Sequence, residues 1–273
     1  MNKERQIDAW LHPAMLAAWN GKLDQFTRLL DEAPELVTRR STCSHPTLLQ
    51  FVVLAGAEGE ISSPEPFMEA LIQRGADLEE PTVAAASIGS IPITSLLLAK
   101  GASLEAGAPW TPLEESIYWA HRDLADHLRQ RGAEVPSLRV AAGLGDLGGT
   151  ERFLANPRQE LGPVRFPWGC PSTDRQDVLD QALVIAAKNG QISTVGTLLE
   201  GGADVNAFPP GIHENGAALH MAAMFGHSEV VRILLEGGAD PALPDPTHGS
   251  NAAGWAKHGG FPELAARLRG AES

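Results

Sequence analysis

Cysteine is the scarcest reactive chemistry in this chain: 273 residues carry only two, Cys43 and Cys170. Two thiols cannot build a disulfide framework, and neither has neighbours at metal-ligand spacing, so a reducing, cytoplasmic setting without a bound metal is expected. Aromatic residues are also few, at 5% of the chain against 43% hydrophobic overall. That mix serves a β-sandwich core poorly and suits helices packed closely through Ala and Leu. Basic residues are outnumbered, 21 Lys and Arg against 34 Asp and Glu, for a formal charge of −13. Such a deficit argues against nucleic acid and against an anionic membrane surface, because affinity for phosphate comes from clustered Lys and Arg. It leaves room for a protein partner with a basic surface. No apolar run reaches the length of about 18 residues that a bilayer requires. The first residues, Met1 to Gln6, include Glu4 and lead into no apolar stretch, so no signal peptide is expected. The hydrolase elbow Gly-x-Ser-x-Gly, the phosphate loop Gly-x-x-x-x-Gly-Lys-Ser/Thr and the zinc motif His-Glu-x-x-His are all missing. No catalytic residue and no cofactor are therefore expected.

What the chain does have is periodicity. Ala218-Leu219-His220-Met221-Ala222-Ala223-Met224-Phe225-Gly226-His227 runs into Ser228-Glu229-Val230-Val231-Arg232-Ile233-Leu234-Leu235 and ends on Gly237-Gly238-Ala239-Asp240. A near copy precedes it, from Ala186-Ala187-Lys188-Asn189-Gly190 to Gly202-Ala203-Asp204. A small residue four places before the inter-helix glycine marks the register at Ala17, Val52, Ala85, Ser116, Ala141, Ala186, Ala222 and Ala256. The spacings are 35, 33, 31, 25, 45, 36 and 34 residues, so one architecture repeats along the chain. Each unit reads as a short first helix of small residues, a glycine at the reversal, and a second helix with apolar residues at helical spacing. The reversal glycines are Gly21, Gly56, Gly89, Gly145, Gly190, Gly226 and Gly260, with Ala120 in that place in the Ser116 unit. A second glycine, at Gly75, Gly101, Gly132, Gly202 or Gly238, closes the second helix. One helix pair cannot bury both its faces, whereas stacked pairs can. The fold expected is all-α, a solenoid of about eight helix pairs forming one domain over residues 1–273.

The motifs resemble those of the ankyrin-repeat family. Thr111-Pro112-Leu113 reproduces the start of that family's Thr-Pro-Leu-His-x-Ala signature, with Glu114 in place of the histidine, and Leu219-His220-Met221-Ala222 keeps its second half. Gly-Ala followed by Asp or Glu recurs at residues 75–77, 132–134, 202–204 and 238–240. The final Ala253-Gly254-Trp255-Ala256-Lys257-His258-Gly259-Gly260 resembles the last repeat of bacterial ankyrin proteins and points to a bacterial source. The resemblance implies a monomeric interaction module that binds a protein partner on its concave face. It also implies structural roles for His220, bonding between neighbouring turns, and for His227, at the start of its helix.

Two segments break the pattern. Residues 158–176 form a surplus with Pro163, Pro167 and Pro171, Phe166 and Trp168, expected to be an ordered loop over the groove. Residues 206–216 form a second enlarged finger, whereas the connection Glu79-Glu80-Pro81-Thr82 is short. The residues before each reversal glycine are expected to face the groove, which selects Trp19, Tyr118, Trp119 and Phe225; Trp110, Trp168 and His213 fall in fingers. These seven are the expected partner-binding residues, since Trp and Tyr bury much area at little rotamer cost. Trp10 and Trp255 are expected to cap the ends of the core. Of the adjacent Glu114 and Glu115, which face different ways on a helix, one is expected to reach the groove near Trp110 and Trp119. The alternative reading is a small-molecule binder or enzyme, with Glu114, His213 and Trp168 converging under the 158–176 loop.

Overall fold

The computed structural model describes residues 8–41, 47–107, 110–155, 174–212 and 214–271. Its helices group into two compact units, Met1–Ala133 and Glu134–Ser273. Among the described residues every regular element is helical. The first unit holds α1 (His12–Trp19), α2 (Leu23–Glu32), α3 (Leu48–Ala57), α4 (Glu65–Ile72), α5 (Glu79–Ser87), α6 (Ile91–Ala99), α7 (Pro112–Tyr118) and α8 (Arg122–Gln130), with a 3-10 turn at Pro34–Val37. The second holds α9 (Leu138–Leu144), α10 (Leu147–Ala155), α11 (Arg175–Lys188), α12 (Ile192–Glu200), α13 (Ala218–Met224), α14 (Ser228–Glu236), α15 (Ala252–His258) and α16 (Pro262–Ala271). Odd-numbered helices are the first helices of the repeats and even-numbered ones the second. Among the described residues each unit is all-α, a stack of helix pairs.

All eight register marks lie in odd-numbered helices and are buried, none above 2% exposure. Small residues there let neighbouring first helices approach: α1 packs on α3, α3 on α5 and α5 on α7 in one unit, and α9 on α11, α11 on α13 and α13 on α15 in the other. Second helices pack on their neighbours more loosely, with one buried apolar face each, such as Val230, Val231 and Leu234 on α14.

The reversals follow a shared design. Gly89, Gly145, Gly190 and Gly226 have φ between +68° and +74°, a region that L side chains enter only with strain. At each of them a side chain from the next repeat also lies where a Cβ would be: His121 over Gly89, Gln191 over Gly145, His227 over Gly190 and Phe261 over Gly226. Three of those side chains also donate across to the preceding repeat, His121 Nε2 to Ser87 O (2.8 Å), Gln191 Nε2 to Gly143 O (2.9 Å) and His227 Nε2 to Lys188 O (3.0 Å). Ala120 takes the same left-handed conformation, φ 61°, without glycine's freedom.

Three expectations are corrected. Gly56 does not end its helix; α3 runs on to Ala57 and the chain turns at Gly59, φ 77°. Gly56 is required for another reason: a Cβ there would lie 2.5 Å from the Pro64 ring. Residues 79–82 are the first turn of α5 rather than a link, because Asp77 Oδ1 accepts from Glu79 N (3.2 Å) and a proline is tolerated in a first turn. The surplus at 158–176 ends earlier than expected, since Asp174 caps α11 by accepting from the backbone N–H groups of Gln176 and Asp177. Residues 158–173, with Trp168 and Cys170, lie outside the described residues, as do His213, Cys43 and His45.

Candidate protein-binding surface

In the first unit, the Thr111 cap and Pro112 at the first position set where α7 begins. Glu114 turns inward: its Oε2 accepts from the backbone N–H and hydroxyl of Thr111, both at 3.0 Å, and Thr111 Oγ1 accepts from Glu114 N. This capping box occupies the carboxylate in the place where the second unit has His220. Glu115, one residue on, faces the other way. Its Oε1 accepts from Trp119 Nε1 at 2.8 Å and its Oε2 from Trp110 Nε1. Tyr118 stands between the two indoles, edge-on to each, with centroids 5.9 Å from Trp110 and 5.3 Å from Trp119. Trp110, Tyr118 and Trp119 are therefore brought together, with Glu115 bonded to both indoles. Tyr118 itself is corrected: at 2% exposure it is a core residue, because the last residue of this short helix faces the stack. Trp110 and Trp119 are half-buried.

Trp19 shows a related arrangement at the end of α1. Its indole donates to Glu60 Oε2 at 3.0 Å, and its ring meets Phe51 edge-on at 4.9 Å. Glu60 lies 41 residues away on an irregular turn, so no local pattern in the sequence connects the two. Trp10 is half-buried with the Arg39 guanidinium 4.2 Å above its ring.

In the second unit Phe225 is half-buried at the end of α13, with Lys188 Nζ 5.5 Å from its centroid. Lys188 is nearly enclosed, its side chain 4% exposed, and donates to Glu214 Oε1. Glu214, Asn215, Met224, Thr247, Trp255 and His258 line a cleft of about 710 Å³. Trp255 is buried and donates to Asp245 Oδ2 at 3.0 Å. Asp245 also accepts from the backbone N–H groups of Thr247, His248 and Ser250. Burial alone would raise this carboxyl, but the four hydrogen bonds outweigh it and hold it down to about 2. His220 Nδ1 accepts from Ala217 N, so Nε2 carries the proton and donates to Leu243 O at 3.0 Å. Burial pushes His220 below its ordinary value and keeps the ring neutral.

Of the seven expected residues, Trp110, Tyr118 and Trp119 converge in the first unit, Trp19 stands on its own helix end there, and Phe225 belongs to the second unit. Trp168 and His213 lie outside the described residues. The sequence missed Glu60, Lys188 and Glu214 as partners of the aromatics. Among the described residues no three His, Cys, Asp or Glu side chains are grouped to hold a metal ion. No described helix is long and apolar enough to cross a membrane.

The family model for ankyrin repeats (3 copies) matches residues 141–261. Among solved structures, the ankyrin repeat domain of human ASB11 is similar at 19% identity, with a TM-score of 0.43, over 94% of this chain and 97% of that one. No curated protein sequence matches the chain. The family match falls on the segment that carries the Gly-Ala-Asp endings at 202–204 and 238–240, His220 and His227, so residues 141–261 are similar to ankyrin repeats.

Proposed function

We propose that this protein is a non-catalytic interaction module that binds a protein partner through the concave side of its repeats. The observation that supports this most is the state of Trp110 and Trp119. Both are half-buried, and both indole N–H groups are already bonded to Glu115. Their rings are held in place before a partner arrives, which lowers the ordering cost of binding. What they offer is ring face rather than a hydrogen-bond donor, and aromatic faces of this kind are enriched in interface hot spots. Trp19 and Phe225 extend the same offer from other helix ends. A net charge of −13 favours a partner with a basic surface. The reading includes a monomer in the bacterial cytoplasm. Affinity capture from native lysate with the wild-type chain and a Trp110→Ala/Trp119→Ala variant tests it: a partner held by the first and lost by the second supports the reading. Equal capture by both contradicts it.

A further inference from the structure

We propose that His220 is an acid-sensitive latch: protonation of its ring releases residues 243–250 from α13 and opens the cleft that this finger lines. The proposal concerns a moving part of the fold and stands whether or not a protein occupies the concave side. In the closed state both ring nitrogens are committed. Nδ1 accepts from Ala217 N (3.3 Å) at the start of α13, and Nε2 donates to Leu243 O (3.0 Å) in the finger that follows α14. The residue is 1% exposed, and its ring meets Phe208 at 5.8 Å and Trp255 at 5.4 Å between centroids. A further proton can enter only at Nδ1, where it faces the Ala217 N–H. Two donors cannot share that position, so a charged ring has to turn away, and Leu243 O then loses its donor.

The finger moves as one piece because Asp245 gathers it. Its carboxylate accepts from the backbone N–H groups of Thr247, His248 and Ser250 and from the Trp255 indole, and its own N–H donates to Ser250 O at 2.9 Å. Thr247 Oγ1 also accepts from Asn215 Nδ2 at 3.2 Å, an exposed bond that water can replace. Thr247, His248, Ser250 and Trp255 line the cleft of about 710 Å³, so His220 holds one of its walls in place.

The charges around the ring set the direction of the response. The finger presents Asp245, whose charge favours a protonated ring. From α15 comes Trp255 and from residues 206–216 comes Phe208, neither of them charged. Among the described residues, α11 and α14, which also pack on α13, present no charge that reaches it. Burial outweighs Asp245 and holds the ring below its ordinary value. An opened finger takes up the proton more readily. The closed state is therefore favoured above the ordinary value near 6.5 and gives way as the pH falls below it. Asp245, held down to about 2, stays charged throughout and keeps the finger tied to itself.

Hydrogen exchange of the full chain, followed by ¹H–¹⁵N NMR from neutral to mildly acidic pH and corrected for intrinsic rates, tests this. The amides of Ala217, Thr247, His248 and Ser250 and the Trp255 indole should lose protection together, by roughly tenfold for each pH unit below about 6.5. Amides inside α9 and α12 should hold theirs. His220→Gln removes the titrating ring and keeps a side-chain donor for Leu243 O. Glutamine already stands at the same register place in α3, as Gln50. In that variant the protection should stay constant over the same range. His248 and His258 line the same cleft and remain in it, so a response of theirs would persist. A second measurement needs no substitution: the ¹⁵N resonances of the wild-type His220 ring should report proton uptake at the pH where the finger opens. Constant protection in the wild type, or an equal loss in a folded His220→Gln chain, overturns the proposal. So does a His220 ring that charges while the finger stays closed, which decides the matter even where the variant fails to fold.

Discussion

Asp245 and Asp180 are both buried carboxylates of the second unit, at 2% and 6% exposure, and their surroundings drive them in opposite directions. Burial acts to raise both. At Asp245 four donors overcome it and the carboxyl is held down to about 2. At Asp180 burial prevails over the bonds from Asp204 N (2.7 Å) and Gln176 Nε2 (2.8 Å), and the carboxyl is raised. The signs for stability follow. Asp245 contributes stability that is present above the ordinary value near 4 and is lost as the pH falls toward 2. Asp180 opposes it, since its charged form is disfavoured in the folded chain and stability declines as the pH rises through its raised value. Asp245→Asn turns an NH₂ donor toward other donors and should cost about 2–4 kcal/mol. Asp180→Asn keeps an acceptor for both of its bonds and should be neutral or slightly stabilising. Urea unfolding followed by circular dichroism at neutral pH separates the two. At the same scale, Tyr118→Ala should destabilise the first unit by roughly 3 kcal/mol, because it empties part of a core. It is therefore unsuitable as a probe of binding, unlike the half-buried Trp119.

The elements explain what was legible in the sequence. The register marks were readable because stacking demands a small residue at one fixed place, and all eight positions are buried as that argument requires. Replacing Ala186 or Ala222 with Phe should overpack α11 against α13 and cost roughly 1–3 kcal/mol in thermal or chemical unfolding. The reversal glycines were readable for their backbone, but their second reason was not: the collision at Gly190 is with His227, a side chain of the next repeat. Gly190→Ala should therefore cost about 2–4 kcal/mol, whereas Gly21→Ala, with open space around its Cβ position, should cost only about 1 kcal/mol. Ala120→Gly should stabilise by about 0.5–1 kcal/mol, because φ there is already 61°. Gly56 was misread because a glycine near the expected reversal looks the same whether the chain turns at it or another segment crosses it closely. The aromatic cluster around α7 was legible from its spacing. Its organising residue was narrowed to Glu114 or Glu115, and only the capping box on Thr111 decides which of the two faces the indoles. The pairs Trp19–Glu60 and Lys188–Glu214 join residues 41 and 26 apart across irregular turns, where no periodicity carries information.

For the whole molecule, repetition sets the fold while the departures from repetition carry the candidate chemistry. Trp110, Trp119, Lys188 and Glu214 do not recur from one repeat to the next, whereas the glycines and alanines do. A partner recruited by an acidic surface should bind more weakly as salt rises, and a titration from low to physiological ionic strength checks this. If the indoles are hot spots, losing either should weaken binding by on the order of 2 kcal/mol or more with little change in folding. The measurement that bears most directly on this account is the amount of partner retained from native lysate by the Trp110→Ala/Trp119→Ala chain beside the wild type, with circular dichroism confirming both folds. The account predicts a partner that the wild type holds and the variant releases; undiminished retention by a folded variant would contradict it.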